Sequence, residues 1–309
     1  MVESSIHLVI TGANGLVGSS LLAVLVHSFP HSTIKALVRR LPNQPHPGVD
    51  YVLGDLTQTI PPTLFSQNSY LFHFAHQHTA RDLESLRLTN VQGLEKLLQT
   101  GEGKIKKIFL GSSMSVYGQG PFQQVPESAP TAPQTNLAHT RVEAEESVKR
   151  FCQQAQIPYF IFRPRFLFDP REKETLPKLY AQFSKGVMLG SGEQRFSFIL
   201  VEDYVKIILQ TLALTQSQVL NVAYVTTVSL KEIYALFGPF KQKRRIPAGL
   251  LIPLLKLFRL RSLATKLELV GLDQTLDTTQ LLRIYPDIRT IDGVQKLSTL
   301  AHSINRGHP

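Results

Sequence analysis

The run Ile6-His7-Leu8-Val9-Ile10-Thr11-Gly12-Ala13-Asn14-Gly15-Leu16-Val17-Gly18 decides the fold. A short apolar, β-branched stretch stops at a glycine turn, and from Leu16 onward apolar residues recur at three- and four-residue spacing. That is a buried strand over 6–10, a turn, and a helix over 16–28. In this strand–turn–helix setting Gly12, Gly15 and Gly18 permit the tight turn and let the backbone approach a pyrophosphate. The start of the helix, with Asn14, Leu16 and Val17, offers free N–H groups and the positive end of its dipole to the anion. The same glycines also suit a tight turn packed on its helix with no ligand; the strand on one side and the helix on the other favour the ligand.

Outward from this run, further strands are expected at 33–38, 51–53, 69–74, 107–110 and 158–162, and helices at 81–100, 134–155 and 201–214. This alternation defines an α/β protein, a Rossmann-like, doubly wound parallel sheet. Leu8-Val9-Ile10 and Ile108-Phe109-Leu110 are continuously apolar, as strands covered on both faces must be. After Asp169 the pattern is broken by Pro170, Pro177, Gly186, Gly190 and Gly192. The expected division is a dinucleotide-binding domain over 1–170, to which 198–225 returns, and a smaller C-terminal substrate domain built from 171–197 and 226–309.

With 309 residues, 43% of them apolar, the chain is too apolar to be disordered and long enough for a full core. Its formal charge of +10 is uneven: residues 1–170 carry 14 basic and 12 acidic side chains, residues 171–309 carry 19 and 11. An anionic small-molecule substrate, an anionic membrane surface or a merely solvated face would each account for the excess. No nucleic acid is expected as a partner, and a homodimer is left open. The single cysteine, Cys152, excludes an internal disulfide, which fits a cytoplasmic protein, and the apolar run 6–10 is too short to read as a leader. The apolar stretch 248–260 contains Pro253 and Lys256 and falls short of the ~20 residues of a membrane span. It reads as a packed helix, with peripheral membrane contact as the minority alternative. The basic run Lys241-Gln242-Lys243-Arg244-Arg245 reads as a solvated linker or an anion contact. His73, His76 and His78 crowd together, but no carboxylate or cysteine spacing completes a ligand set, so no metal is expected.

The second expected strand ends in Val38-Arg39-Arg40, where an NAD-preferring site would carry an acidic residue for the ribose 2′-OH. A guanidinium suits a 2′-phosphate, so Arg39 and Arg40 point to NADP, with NAD and two surface charges as the alternative. Asp55 and Leu56 follow the third strand, where Asp55 either meets the adenine amino group or caps a turn.

These pieces together resemble the extended short-chain dehydrogenases of the NAD-dependent epimerase/dehydratase family. The resemblance rests on TGANGLVG at 11–18, GDL at 54–56, HFAH at 73–76, NVQGLEKLL at 90–98, GSSMSVYG at 111–118, TRVEAEE at 140–146, FRPRFLFDP at 162–170 and FILVEDYV at 198–205. It implies a Rossmann-like domain with a substrate domain and the site in the cleft between them, and it adds Phe74, Ala75, His76, Asn90, Arg141 and Pro164 to the cofactor contacts. It also implies a Ser or Thr that holds the substrate oxygen and a Tyr-x-x-x-Lys pair whose lysine lowers the tyrosine pKa for proton transfer. Ser113 takes the first place, with capping of a strand end as the alternative. At the second, Leu137 stands for the tyrosine and Arg141 for the lysine, and none of the nine tyrosines has a lysine four residues on. His139 and Tyr117 are the remaining candidates for a proton donor. Two functions follow: an NADP-dependent oxidoreductase or epimerase-like enzyme with a non-standard proton donor, or a catalytically inactive NADP-binding sensor, scaffold or assembly subunit.

Overall fold

The computed structural model describes residues 6–79, 82–171, 187–189, 191–236, 244–246, 257 and 271–306. In chain order the elements begin with β1 (His7–Thr11), α1 (Leu16–Ser28), β2 (Thr33–Val38), β3 (Val49–Leu53), β4 (Ser69–His73), α2 (Leu83–Arg87), α3 (Gly93–Thr100) and β5 (Ile105–Gly111). They continue with β6 (Phe122–Val125), α4 (Asn136–Ala155), β7 (Tyr159–Pro164), β8 (Phe166–Phe168), β9 (Val187–Leu189), β10 (Arg195–Phe196), β11 (Phe198–Leu200) and α5 (Val201–Gln210). The remainder are β12 (Gln218–Val222), β13 (Val228–Ser229), α6 (Leu230–Leu236), β14 (Arg244–Ile246), β15 (Gln274–Leu276), α7 (Thr279–Ile284) and α8 (Gly293–Arg306). The apolar stretch 248–260, apart from Leu257, and residues 241–243 of the basic run lie outside the described residues.

Seven strands form one sheet in the order β12-β7-β5-β4-β1-β2-β3. The pairs from β7 through β3 are all parallel. The order reverses between β1 and β4, and this is the Rossmann-like doubly wound topology that the sequence implies. Alternation along the strands separates the two faces. One face stacks Phe109 of β5 between Phe72 of β4 and Phe160 of β7, at centroid separations of 4.4 and 5.5 Å. The other sends Leu71, Ile108, Leu110 and Ile161 into a core with Leu94, Leu97 and Leu98 of α3 and Ala144, Val148 and Cys152 of α4. Burial in that core pushes the Cys152 thiol up to about 12, so it is an apolar filler and not a thiolate.

The chain divides into two compact units: residues 1–116, 131–163 and 205–220, and residues 117–130, 164–204 and 221–309. Beyond the expected division, the second unit also takes residues 117–130, because β6 pairs with β15 some 150 residues later. Pairing across that sequence distance leaves no local signal. Within the second unit a four-stranded sheet runs β13-β10-β15-β6 and β8 pairs with β11. Tyr224 donates to Asp203 at 2.5 Å, and Lys296 of α8 reaches the same carboxylate at 2.7 Å.

The helix expected over 81–100 is α2, a π turn over Leu88–Gln92, and α3. The cause is Asn90. It is fully buried, and its amide oxygen accepts from Gln77 N at 2.7 Å while its nitrogen donates to Gln77 O at 3.0 Å and to Thr140 Oγ1 at 3.2 Å. One wide turn sets Asn90 between the loop after β4 and α4, where an unsatisfied amide would be costly.

Candidate functional site

Beyond the carboxyl end of β1 lies a cavity of about 750 Å³, within the range of small-molecule sites. Its floor is the glycine turn. Gly12 has φ +74°, and a Cβ there would stand 2.6 Å from both Ala75 N and Phe74 C, so only glycine lets the turn meet the loop after β4. A Cβ on Gly18 would sit 2.1 Å from Gly12 O, which is why the helix seats directly behind the turn. Gly15 caps α1 with no side-chain hydrogen bond, and no acidic residue occupies the first turn. The thirteen-residue helix therefore presents its first N–H groups and positive dipole end to the cavity side with no carboxylate in competition.

Of the expected cofactor contacts, Gly12, Asn14 and Gly15 line this cavity, as do Arg39, Arg40, Asp55 and Leu56 at the ends of β2 and β3. Phe74, Ala75 and His76 form the opposite wall. Phe74 lies where a Cβ on Gly111 would be, 2.6 Å from its ring, so that second glycine gives the wall its place. Asn14 donates to Arg40 O at 3.2 Å and ties the glycine turn to the arginines. Both arginines are exposed. Asp55 accepts from Thr57 N and Thr57 Oγ1, both at 2.8 Å, and the Thr57 backbone bond holds its carboxyl below the usual carboxylate range. Thus it caps a turn and also faces the cavity. Leu16, Val17 and Gly18 belong to the start of α1. Asn90 does not line the cavity; it is a positioning residue for the loop that does. Pro164 ends β7, buried, and begins the second unit.

Sequence reasoning missed two things here. Beneath the wall, His73 is fully buried, with Nδ1 2.8 Å from Thr11 Oγ1 and Nε2 without a partner, and burial lowers its pKa to about 4. Glu145 of α4 accepts from Ser112 Oγ at 2.6 Å, from Arg163 Nε at 3.0 Å and from Arg163 Nη2 at 2.5 Å. This buried cluster locks α4, and with it Leu137 and Arg141, against β5 and β7. A charge inside a strand pattern was the available signal, since neither Arg163 nor Glu145 suits a core unless paired.

The expected catalytic groups fare differently. Ser113 follows β5 and is partly buried; its Oγ accepts from Ser115 N at 3.2 Å, the capping role, and its own proton remains to donate. His139 is exposed on α4, between the buried Ala138 and Thr140. Tyr117 is 3% exposed, and its hydroxyl donates to Asn221 Oδ1 at 2.8 Å. The Asn221 amide in turn donates to Val125 O and Asp277 O, so the phenol anchors the second unit internally. Among the described residues no group of His, Cys, Asp or Glu could hold a metal, and no helix is long and apolar enough to cross a membrane.

A parallel sheet in this order, with a glycine turn at the end of its central strand, defines a Rossmann-like dinucleotide-binding unit. The model of the NAD dependent epimerase/dehydratase family matches residues 8–223, and the chain belongs to that family. It is 26% identical to the low-salt glycan biosynthesis protein Agl12 of Haloferax volcanii over 213 residues, which are 63% of this chain and 69% of that one. With the UDP-glucose 4-epimerase of Vibrio cholerae it shares 23% over 214 residues, 65% of each chain. The crystal structure of UDP-glucuronic acid 4-epimerase from Bacillus cereus in complex with NAD covers 98% of this chain and 100% of that chain, with a TM-score of 0.76 and 16% identity. A likeness at that identity is one of fold.

Proposed function

We propose that the chain binds a nicotinamide dinucleotide, NADP in preference to NAD, and does not run the acid–base chemistry of a conventional epimerase. The observation that supports binding is the cavity itself: a glycine turn a Cβ would block, an uncapped helix start, and two exposed arginines at its rim. The backbone of Gly12 to Gly15 and the start of α1 would hold the diphosphate, and Arg39 and Arg40 the 2′-phosphate. Bound there, the nicotinamide would supply a hydride acceptor or donor.

Hydride transfer at an alcohol carbon requires a proton to leave or reach its oxygen. Leu137 cannot carry one, and Arg141 stays charged at any working pH. Tyr117 and His139 are engaged or exposed, as described. General acid–base catalysis contributes about 10²–10⁴-fold, so its loss leaves at most a weak conventional enzyme and favours a binding role, as a sensor, scaffold or assembly subunit. Ser113 favours a second reading, an oxidoreductase or epimerase-like enzyme for a small, anionic substrate, because its hydroxyl proton is still available beside β5.

The test is incubation with NADP or NAD and a panel of nucleotide sugars beginning with UDP-glucose and UDP-glucuronic acid. The binding-protein reading predicts no reduced nicotinamide and no epimerised sugar. Turnover that disappears in Ser113→Ala establishes the second reading instead.

A further inference from the structure

His76 lines the cavity on the loop whose backbone at Phe74 and Ala75 closes against Gly12. Among the described residues, the titratable groups that bear on its ring are of basic type: Arg141 from α4, His73 from β4 with ring centroids 5.9 Å apart, and His78 from its own loop. Arg39 and Arg40 line the same cavity, and Asp55, the only carboxylate among its described lining residues, already accepts two hydrogen bonds from Thr57. The loop is held by the two-way bond of Asn90 to Gln77, so the residue after His76 is fixed.

We infer that His76 is a proton-coupled ligand of the dinucleotide diphosphate, neutral in the free protein and an imidazolium once the diphosphate lies on the glycine turn. The inference rests on the cofactor reading proposed above. In the free protein burial, then Arg141, His73 and His78, hold the ring well below the ordinary histidine value, because a proton there would sit in a poorly solvated place beside the Arg141 cation. A diphosphate on the glycine turn would bring two negative charges beside the ring and offset that penalty. The proton comes from solvent, and the ring N–H it creates donates to a phosphate oxygen.

Calorimetry of NAD and of NADP binding at pH 7, each in two buffers of different ionisation heat, reads the proton directly. The wild type takes up a fraction of a proton with both dinucleotides, and His76→Gln takes up less by that amount; the 2′-phosphate of NADP contributes equally to both proteins and cancels. NAD affinity rises by up to about tenfold per pH unit as pH falls between the free and bound midpoints. In the wild type alone, the ring resonance of His76 titrates at higher pH with NAD present than without. Binding with equal uptake in both proteins and an unmoved ring midpoint overturns the inference while leaving the cofactor reading intact. Uptake with NADP alone also overturns it, since that assigns the ring to the 2′-phosphate. Absence of binding by either dinucleotide overturns the cofactor reading and this inference with it.

Discussion

His73 and the pair Arg39 and Arg40 carry the sharpest tests among single residues. The buried His73 ring stays neutral in the folded chain down to a pH of about 4, whereas the unfolded chain binds that proton near 6.5. The unfolded state then holds more protons over this interval, so stability is lost as pH falls from 6.5 toward 4, by about 3 kcal/mol from this ring. Denaturant unfolding at pH 6.5 and pH 4.5 measures the loss, and His73→Gln is expected to show a smaller one; equal losses would contradict the assignment. Arg39→Ala with Arg40→Ala is expected to weaken NADPH by about ten- to a hundredfold, the worth of one or two charge-assisted hydrogen bonds, and NADH far less. Equal weakening of the two would refute the NADP preference.

At the scale of elements, α4 and the glycine turn decide what the site can be. Glu145→Gln leaves Arg163 buried without its carboxylate partner, and the expected cost is about 3–5 kcal/mol in denaturant unfolding, with a smaller loss for Ser112→Ala. Gly12→Ala places a Cβ 2.6 Å from backbone atoms at positive φ, and the expected outcome is loss of dinucleotide binding with the sheet retained by circular dichroism. Much of this scale was legible in the sequence. Continuous apolar runs gave β1 and β5, and the periodicity over 16–28 gave α1 to the residue. The break of the 81–100 helix was not legible, because the π turn answers to the hydrogen bonds of Asn90 with Gln77 and Thr140, partners that no periodicity encodes. For the same reason β6 was missed: Phe122-Gln123-Gln124-Val125 has little strand character until β15 pairs with it. Sequence alone leaves Tyr117 among the candidates for a proton donor, and the Asn221 partner of its hydroxyl, 104 residues away, is legible only in the structure.

For the molecule as a whole, the proposal that family and chemistry part company rests on one helix. The family match spans residues 8–223 and the seven-stranded sheet follows the Rossmann-like order, yet α4 carries Leu137 and Arg141 where the resemblance implies tyrosine and lysine. The features proposed to hold the cofactor are mostly backbone: a turn, a helix start and the close approach of a loop, all legible from glycines. Acid–base features depend on single side chains, so the proposed loss needs only the residues at 137 and 141 to differ. The charge of the second half, 19 basic against 11 acidic residues, belongs in large part to stretches outside the described residues, and no described site absorbs it. The claim on which the rest depends is that the cavity beyond β1 takes a nicotinamide dinucleotide. Titration of the wild-type chain with NADPH, followed by nicotinamide fluorescence, measures it most directly. The account predicts a saturable, one-to-one change that Gly12→Ala abolishes, whereas a signal no different from that of free NADPH across the titration would contradict it.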